Sequence, residues 1–242
     1  MKFGGTSLES RERLERVAQL VAAEEGPTLV VVSAMAKATD DLLARAREVA
    51  KAPSRRELDE PSMRILGTHH GDEWSSIEVP LALAEEILER KDEPLVRDLI
   101  DTHELWFLPV VNPDGLEAFT RRNANNVDLN RNYDYEWTAG SYHGAQPFSE
   151  PESAAVRAHA MRRAVHHSIT MHSGAQSIGW VWNWVTEPTP EDEWLAGICA
   201  RYQGQSTQDG FEIQQGADWY ITHGDTNDWA YGVRGGHDYT LE

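Results

Sequence analysis

His70 and Glu73 stand three residues apart in the stretch Gly67-Thr68-His69-His70-Gly71-Asp72-Glu73-Trp74. A short apolar strand pattern precedes them and a helix pattern follows. An imidazole and a carboxylate at this spacing, on the turn between two elements, can converge on one cation, and both are good zinc ligands. A catalytic zinc needs a third protein ligand and an open position for water. The chain has ten histidines, so counting does not select that ligand. His172 is the best placed. It ends the strand-like run Ser168–Met171, and residues at the C-terminal ends of strands line the usual active edge of an α/β sheet. His69, His166 and His167 are the alternatives.

The elements that must position these groups can be read from periodicity. Strand patterns fall at Arg64–Thr68, Trp106–Val111, Ser168–Met171, Trp180–Val185 and Asp238–Leu241. Helix patterns fall at Ser75–Arg90, Glu150–Ala164 and Glu191–Tyr202. Pro80 lies inside the first of these and is expected to kink it or to sit in its first turns. The fold class expected is α/β, with a mixed sheet flanked by helices. A short β-α-β-α fragment precedes it: Ser7–Ala23 and Asp40–Ala50 carry helical spacing, and Leu29–Ser33 is a β-branched strand run. Residues 51–62, polar and with two prolines, read as a linker. Two units are therefore expected, residues 1–60 and 61–242.

The second unit resembles the zinc carboxypeptidases of the pancreatic type, the M14 family. The resemblance rests on Gly67–Trp74, on Pro109-Val110-Val111-Asn112-Pro113-Asp114-Gly115, and on Arg121-Arg122-Asn123 followed by Val127–Asn132. It continues through Met171-His172-Ser173, Tyr220, Gly224, Asp228–Tyr231 and Tyr239-Thr240-Leu241-Glu242. It implies one zinc held by His70, Glu73 and His172, with Glu242 as the general base that takes a proton from water and passes it to the leaving amine. It further implies that Arg121, with Arg122 as runner-up, stabilises the developing oxyanion. Asn130 and Arg131 would hold the terminal carboxylate of the substrate, and Tyr220 would close over it. Arginine suits a carboxylate because its planar fork donates two parallel hydrogen bonds. The substrate implied is a peptide, or small amide, with a free C-terminal carboxylate. Asn227 and Thr240 fall where the family lines its side-chain pocket, and neither is charged. Asp72 replaces a residue often basic in the family, Asn126 replaces a usual glycine, and the family's residues before the first metal motif and after the base are not matched. Two further readings share the same ligands: a zinc amidohydrolase acting on N-acyl amino acids or cell-wall peptides, and an inactive fused or truncated zinc-binding protein.

Residues 1–60 resemble the start of aspartate kinases through Lys2-Phe3-Gly4-Gly5-Thr6-Ser7, Val30–Met35 and Arg56-Glu57-Leu58-Asp59. By that resemblance Lys2, Gly4, Gly5, Thr6 and Ser7 would meet nucleotide phosphates, glycines and a helix N-terminus being suited to an anion. Some 60 residues cannot also position metal and acceptor, so kinase activity is not expected.

The formal charge is −18, with 22 basic against 40 acidic residues. Nucleic acid needs a basic face, and an anionic membrane would repel this chain, so neither is an expected partner. Such acidity fits a very soluble protein and equally an adaptation to high salt, where screening removes self-repulsion. The single cysteine, Cys199, excludes a disulfide within the chain and reads as a small buried apolar residue. No secretory signal pattern is visible, which leads to a cytoplasmic expectation.

Overall fold

The computed structural model describes residues 61–163 and 165–242, together with the backbone of Lys2–Phe3 and Val31–Val32. Eight strands form one sheet: β1 (Lys2–Phe3), β2 (Val31–Val32), β3 (Ser62–Leu66), β4 (Glu104–Leu108), β5 (Val165–Met171), β6 (Ser177–Trp180), β7 (Glu212–Gln215) and β8 (His237–Leu241). Their spatial order is β1-β2-β4-β3-β5-β8-β6-β7. All neighbours are parallel except β6 and β8, which run antiparallel. This is the mixed α/β sheet expected from the sequence. Among the described residues seven α-helices occur: α1 (Ser75–Glu89), α2 (Pro94–Thr102), α3 (Pro113–Ala118), α4 (Pro151–Arg162), α5 (Asp192–Gln203), α6 (Gly216–Trp219) and α7 (Thr226–Arg234). None of them is long and apolar enough to cross a membrane. Apart from these two strand pairs of residues, the readings of residues 1–60, including the helices and the phosphate-facing turn, lie outside the described residues.

A core lies on each face of the sheet, and strand alternation sorts residues between them. Ile65, Phe107, Met171, Ile178, Tyr239 and Leu241 pack with Leu195 and Cys199 of α5 and Ala84 of α1. Leu66 packs on the other side with Tyr133, with Val156 and Ala160 of α4, and with Trp229 of α7. In β8 the apolar face takes Tyr239 and Leu241. The opposite face therefore receives Asp238, Thr240 and, just past the strand, Glu242.

Several sequence readings shift. β3 and β4 begin and end earlier than the patterns Arg64–Thr68 and Trp106–Val111 suggest. Gly67 ends β3, and Pro109, which cannot donate to a ladder, ends β4. The strand expected over Trp180–Val185 stops at Trp180. Beyond it the backbone N–H groups of Asn183 and Trp184 donate to the Asp228 carboxylate at 2.9 and 3.0 Å instead of to a neighbouring strand. Trp182 stacks on Tyr135 with ring centroids 5.1 Å apart. Pro80 sits within α1 and is buried. Cys199 is fully buried, and burial pushes its thiol up to about 12.

Candidate metal centre and active-site cleft

The turn between β3 and α1 carries His70 and Glu73. Glycine is required twice on the way. A Cβ on Gly67 would lie 2.0 Å from the Ser76 carbonyl oxygen, and one on Gly71 would lie 2.0 Å from the Gly115 carbonyl carbon. Between them Thr68 adopts a left-handed backbone (φ 57°). Its hydroxyl donates to the Pro109 carbonyl at 2.8 Å and its N–H donates to Ser76 Oγ at 3.1 Å, which fixes the turn. His172 follows β5 directly, and its N–H donates to the Leu241 carbonyl of β8 at 2.7 Å.

These three side chains meet. Nδ1 of His70 and Nδ1 of His172 are 3.1 Å apart. Glu73 brings Oε1 to 2.7 Å from the first and Oε2 to 2.8 Å from the second. Ligands about 2.0–2.1 Å from a tetrahedral zinc are roughly 3.3 Å apart, so the donor set fits one such ion with little adjustment, and its two imidazoles and one carboxylate suit zinc chemically. Neither His69, His166 nor His167 joins them. His69 is buried with Nε2 3.0 Å from the Tyr133 hydroxyl, His166 Nδ1 accepts from the Ser62 N–H, and His167 lies against His237.

A network behind the trio holds it in place. The Asp128 carboxylate meets His70 Nε2 through Oδ1 at 3.0 Å and accepts from Arg121 Nε through Oδ2 at 3.0 Å. Oδ1 also caps a 3-10 turn, Leu129–Arg131, by accepting from the Asn130 N–H. One carboxylate thus orients a ligand, an arginine and the loop that carries Asn130 and Arg131. Asn130 is itself fixed, accepting from the Thr226 N–H at 3.1 Å, with its Nδ2 3.3 Å from His172 Nε2. Arg131 donates to the Asn130 carbonyl at 2.6 Å. Asn126 occupies the left-handed position (φ 61°) in the turn before Asp128, a conformation asparagine tolerates.

The electrostatics follow from burial and these contacts. Burial opposes the charged form of Glu73, but hydrogen bonds from His172 and His70 outweigh it and bring its pKa to about 2. Burial likewise opposes a charged Asp128, and His70, Arg131 and Arg121 together drive it far below the usual carboxylate range. His172 is held below its ordinary value by burial and by His70, against the pull of Glu73. A buried neutral imidazole is the form that binds a metal.

The trio opens on a cleft that is continuous with solvent. Arg121, Asn130, Arg131, Tyr220 and Glu242 all line it. Arg121 Nη1 lies 3.4 Å from Glu73 Oε1, and its guanidinium is part exposed. Arg122 instead lies over the Tyr142 ring, 3.3 Å from its centroid, and donates to Asn126. Tyr220 is about half exposed at the rim, edge-on to Trp219. Glu242 is fixed through its backbone N–H, which donates to the Ser177 carbonyl at 3.0 Å. Burial and the nearby Glu73 push its side chain up to about 7, partly offset by His70 and Arg121.

Sequence pattern alone does not single out Asp128, although it lies within the Val127–Asn132 stretch. Its partner His70 is 58 residues away in sequence, and no local pattern marks that contact.

The fold is a mixed-sheet α/β one, and three of its side chains, His70, Glu73 and His172, are close enough together to hold one metal ion. The family model for zinc carboxypeptidases matches residues 16–242, and the chain belongs to that family. Carboxypeptidase SOL1 of Arabidopsis thaliana is 31% identical over 208 residues, covering 81% of this chain and 42% of that protein. Carboxypeptidase D of Mus musculus is 25% identical over 251 residues, covering 91% of this chain and 18% of its own length. This chain therefore spans well under half of each of these two relatives. Among solved structures, carboxypeptidase A from Helicoverpa armigera superposes with a TM-score of 0.67 at 22% identity, covering 98% of this chain and 71% of that one. Thrombin-activatable fibrinolysis inhibitor gives 0.68 at 24% identity, covering 80% and 55%. These two superpositions establish the shared fold.

Proposed function

We propose that the chain is a zinc-dependent metallocarboxypeptidase that hydrolyses the C-terminal amide bond of peptides. The observation that carries this reading is the convergence of His70, Glu73 and His172 on one point at the wall of a cleft that also holds Glu242 and two arginines.

Zinc held by His70, Glu73 and His172 would supply Lewis-acid activation of water and of the scissile carbonyl. The remaining work falls to this chain's own side chains. Arg131, with Asn130 beside it, binds the terminal carboxylate of the substrate and so selects the last peptide bond. Arg121, braced by Asp128, presents a fixed cation where the carbonyl oxygen gains charge. Glu242 takes the proton of the attacking water as the C–O bond forms. It then delivers that proton to the leaving amine as the C–N bond breaks. Burial and the neighbouring Glu73 carboxylate raise the pKa of Glu242, which suits a carboxylate that must return the proton as well as accept it. Tyr220, at the rim, covers the bound terminal residue.

The test is the hydrolysis of blocked dipeptides with a free or an amidated C-terminus by the zinc-loaded protein. Cleavage of the free acid, with amidation costing on the order of 10²-fold or more in kcat/KM, is the expected result. Equal cleavage of both would remove Arg131 from its role and exclude exopeptidase action.

A further inference from the structure

The end of the sheet away from the cleft carries a second pair of histidines. His167 of β5 and His237 of β8 are register partners on adjacent parallel strands, so their side chains stand side by side on one face. Residues His172 and Glu242 of the cleft lie further along the same two strands, each five positions on, or about 16 Å away. The pair is therefore separate from the trio.

Its geometry is that of two ligands of one ion. The ring centroids are 5.2 Å apart. Two imidazoles bound through nitrogens about 2.0–2.1 Å from a tetrahedral metal have centroids roughly 5 Å apart. In the trio, His70 and His172 give 4.7 Å. A carboxylate stands beside the pair. Glu191, at the N-cap of α5, brings Oε2 to 3.3 Å from His237 Nε2, roughly the 3.3 Å that separates ligands around a tetrahedral ion. Its side chain is 52% exposed, so it can swing to complete the set while water fills the remaining position. Asp192 and Glu193 follow in the first turn of α5 and make the neighbourhood more negative. Trp194 packs against both imidazoles, with centroids 4.7 Å from His237 and 6.2 Å from His167, and so limits how far the rings can turn apart. Two imidazoles and one carboxylate suit zinc and its late first-row neighbours. Calcium and magnesium require oxygen ligands.

We propose that His167, His237 and Glu191 form a second site for a divalent cation of the zinc class. It binds more weakly than the trio, because it is half exposed and its carboxylate must move. The ion held there exchanges with solvent and is lost on desalting, which leaves only the tightly held zinc. The inference does not depend on what the cleft hydrolyses. In the experiment, the desalted protein is dialysed to equilibrium against rising free zinc, into the millimolar range, and bound zinc is counted by elemental analysis. Wild type is expected to take up one further zinc per chain. His167→Asn and His237→Asn are expected to lose that uptake and keep the zinc that survives desalting. Glu191→Gln, a change at an exposed side chain, is expected to weaken it, and carries the test if a histidine variant does not fold. His166→Asn, one residue away on the same strand, is expected to leave it unchanged. No further uptake by wild type would overturn the proposal. So would uptake that survives the loss of either histidine or is untouched by Glu191→Gln, since the zinc would then be adventitious and bound elsewhere.

Discussion

Asp128 ties more of the site together than any other single residue. Its carboxylate orients His70, braces Arg121 and caps the turn that presents Asn130 and Arg131. Partners of this kind typically contribute 10- to 100-fold in metal affinity or activity. Asp128→Asn should accordingly weaken zinc binding by about that factor, read by competition with a chromogenic chelator. A variant that binds zinc as tightly as wild type would reduce Asp128 to a loop cap. The pH profile belongs to Glu242. On the proposed mechanism the Glu242 carboxylate is the working base, and burial beside Glu73 raises its pKa to about 7. Activity should rise with pH through about 7 and be lost below it, so kcat/KM should show an acid limb there. A profile flat from pH 5 to 8 would assign the base elsewhere. The convergence of His70, Glu73 and His172 was legible in sequence because His70 and Glu73 sit three apart between a strand and a helix, and His172 ends a strand. The network behind it was not, since Asn130 meets Thr226 across 96 residues and periodicity carries no trace of such a contact.

At the scale of elements, β8 and α7 shape the cleft together. β8 turns Tyr239 and Leu241 into one core and leaves Thr240 and Glu242 on the opposite face. α7 sends Trp229 into the other core, where it packs against Tyr133 and Phe148, while Asn227 lines the cleft. Trp229→Ala removes a fully buried aromatic and should cost about 3–5 kcal/mol in denaturant unfolding. A loss under 1 kcal/mol would show that α7 is not anchored through this residue. β8, α1, α4 and α5 were readable from alternation or helical spacing. α7 was not, because its first buried residues, Thr226, Asn227 and Asp228, are polar and break the apolar pattern. α2 was not read either, although Leu95, Val96, Leu99 and Ile100 recur at helical spacing in it; the helix buries none of its residues fully. The run Trp180–Val185 looked like a strand because its residues are bulky and apolar. Asp228 captured its backbone donors instead.

Over the whole molecule, the proposed ion would bind the turn after β3 to the end of β5, elements that pair across the middle of the sheet. A ligand that binds only the folded state stabilises it by mass action. Chelation should therefore lower the melting temperature, and zinc should restore it. An unchanged melting temperature would mean that the trio does not hold a metal. The proposed mechanism joins zinc held by His70, Glu73 and His172 to proton transfer by Glu242. It is tested most directly by measuring zinc content and dipeptide hydrolysis side by side in wild type and Glu242→Gln. One zinc per chain is expected in both proteins after desalting, with hydrolysis lost in the variant. Full activity in a zinc-loaded variant, or no zinc in the wild type, would contradict it.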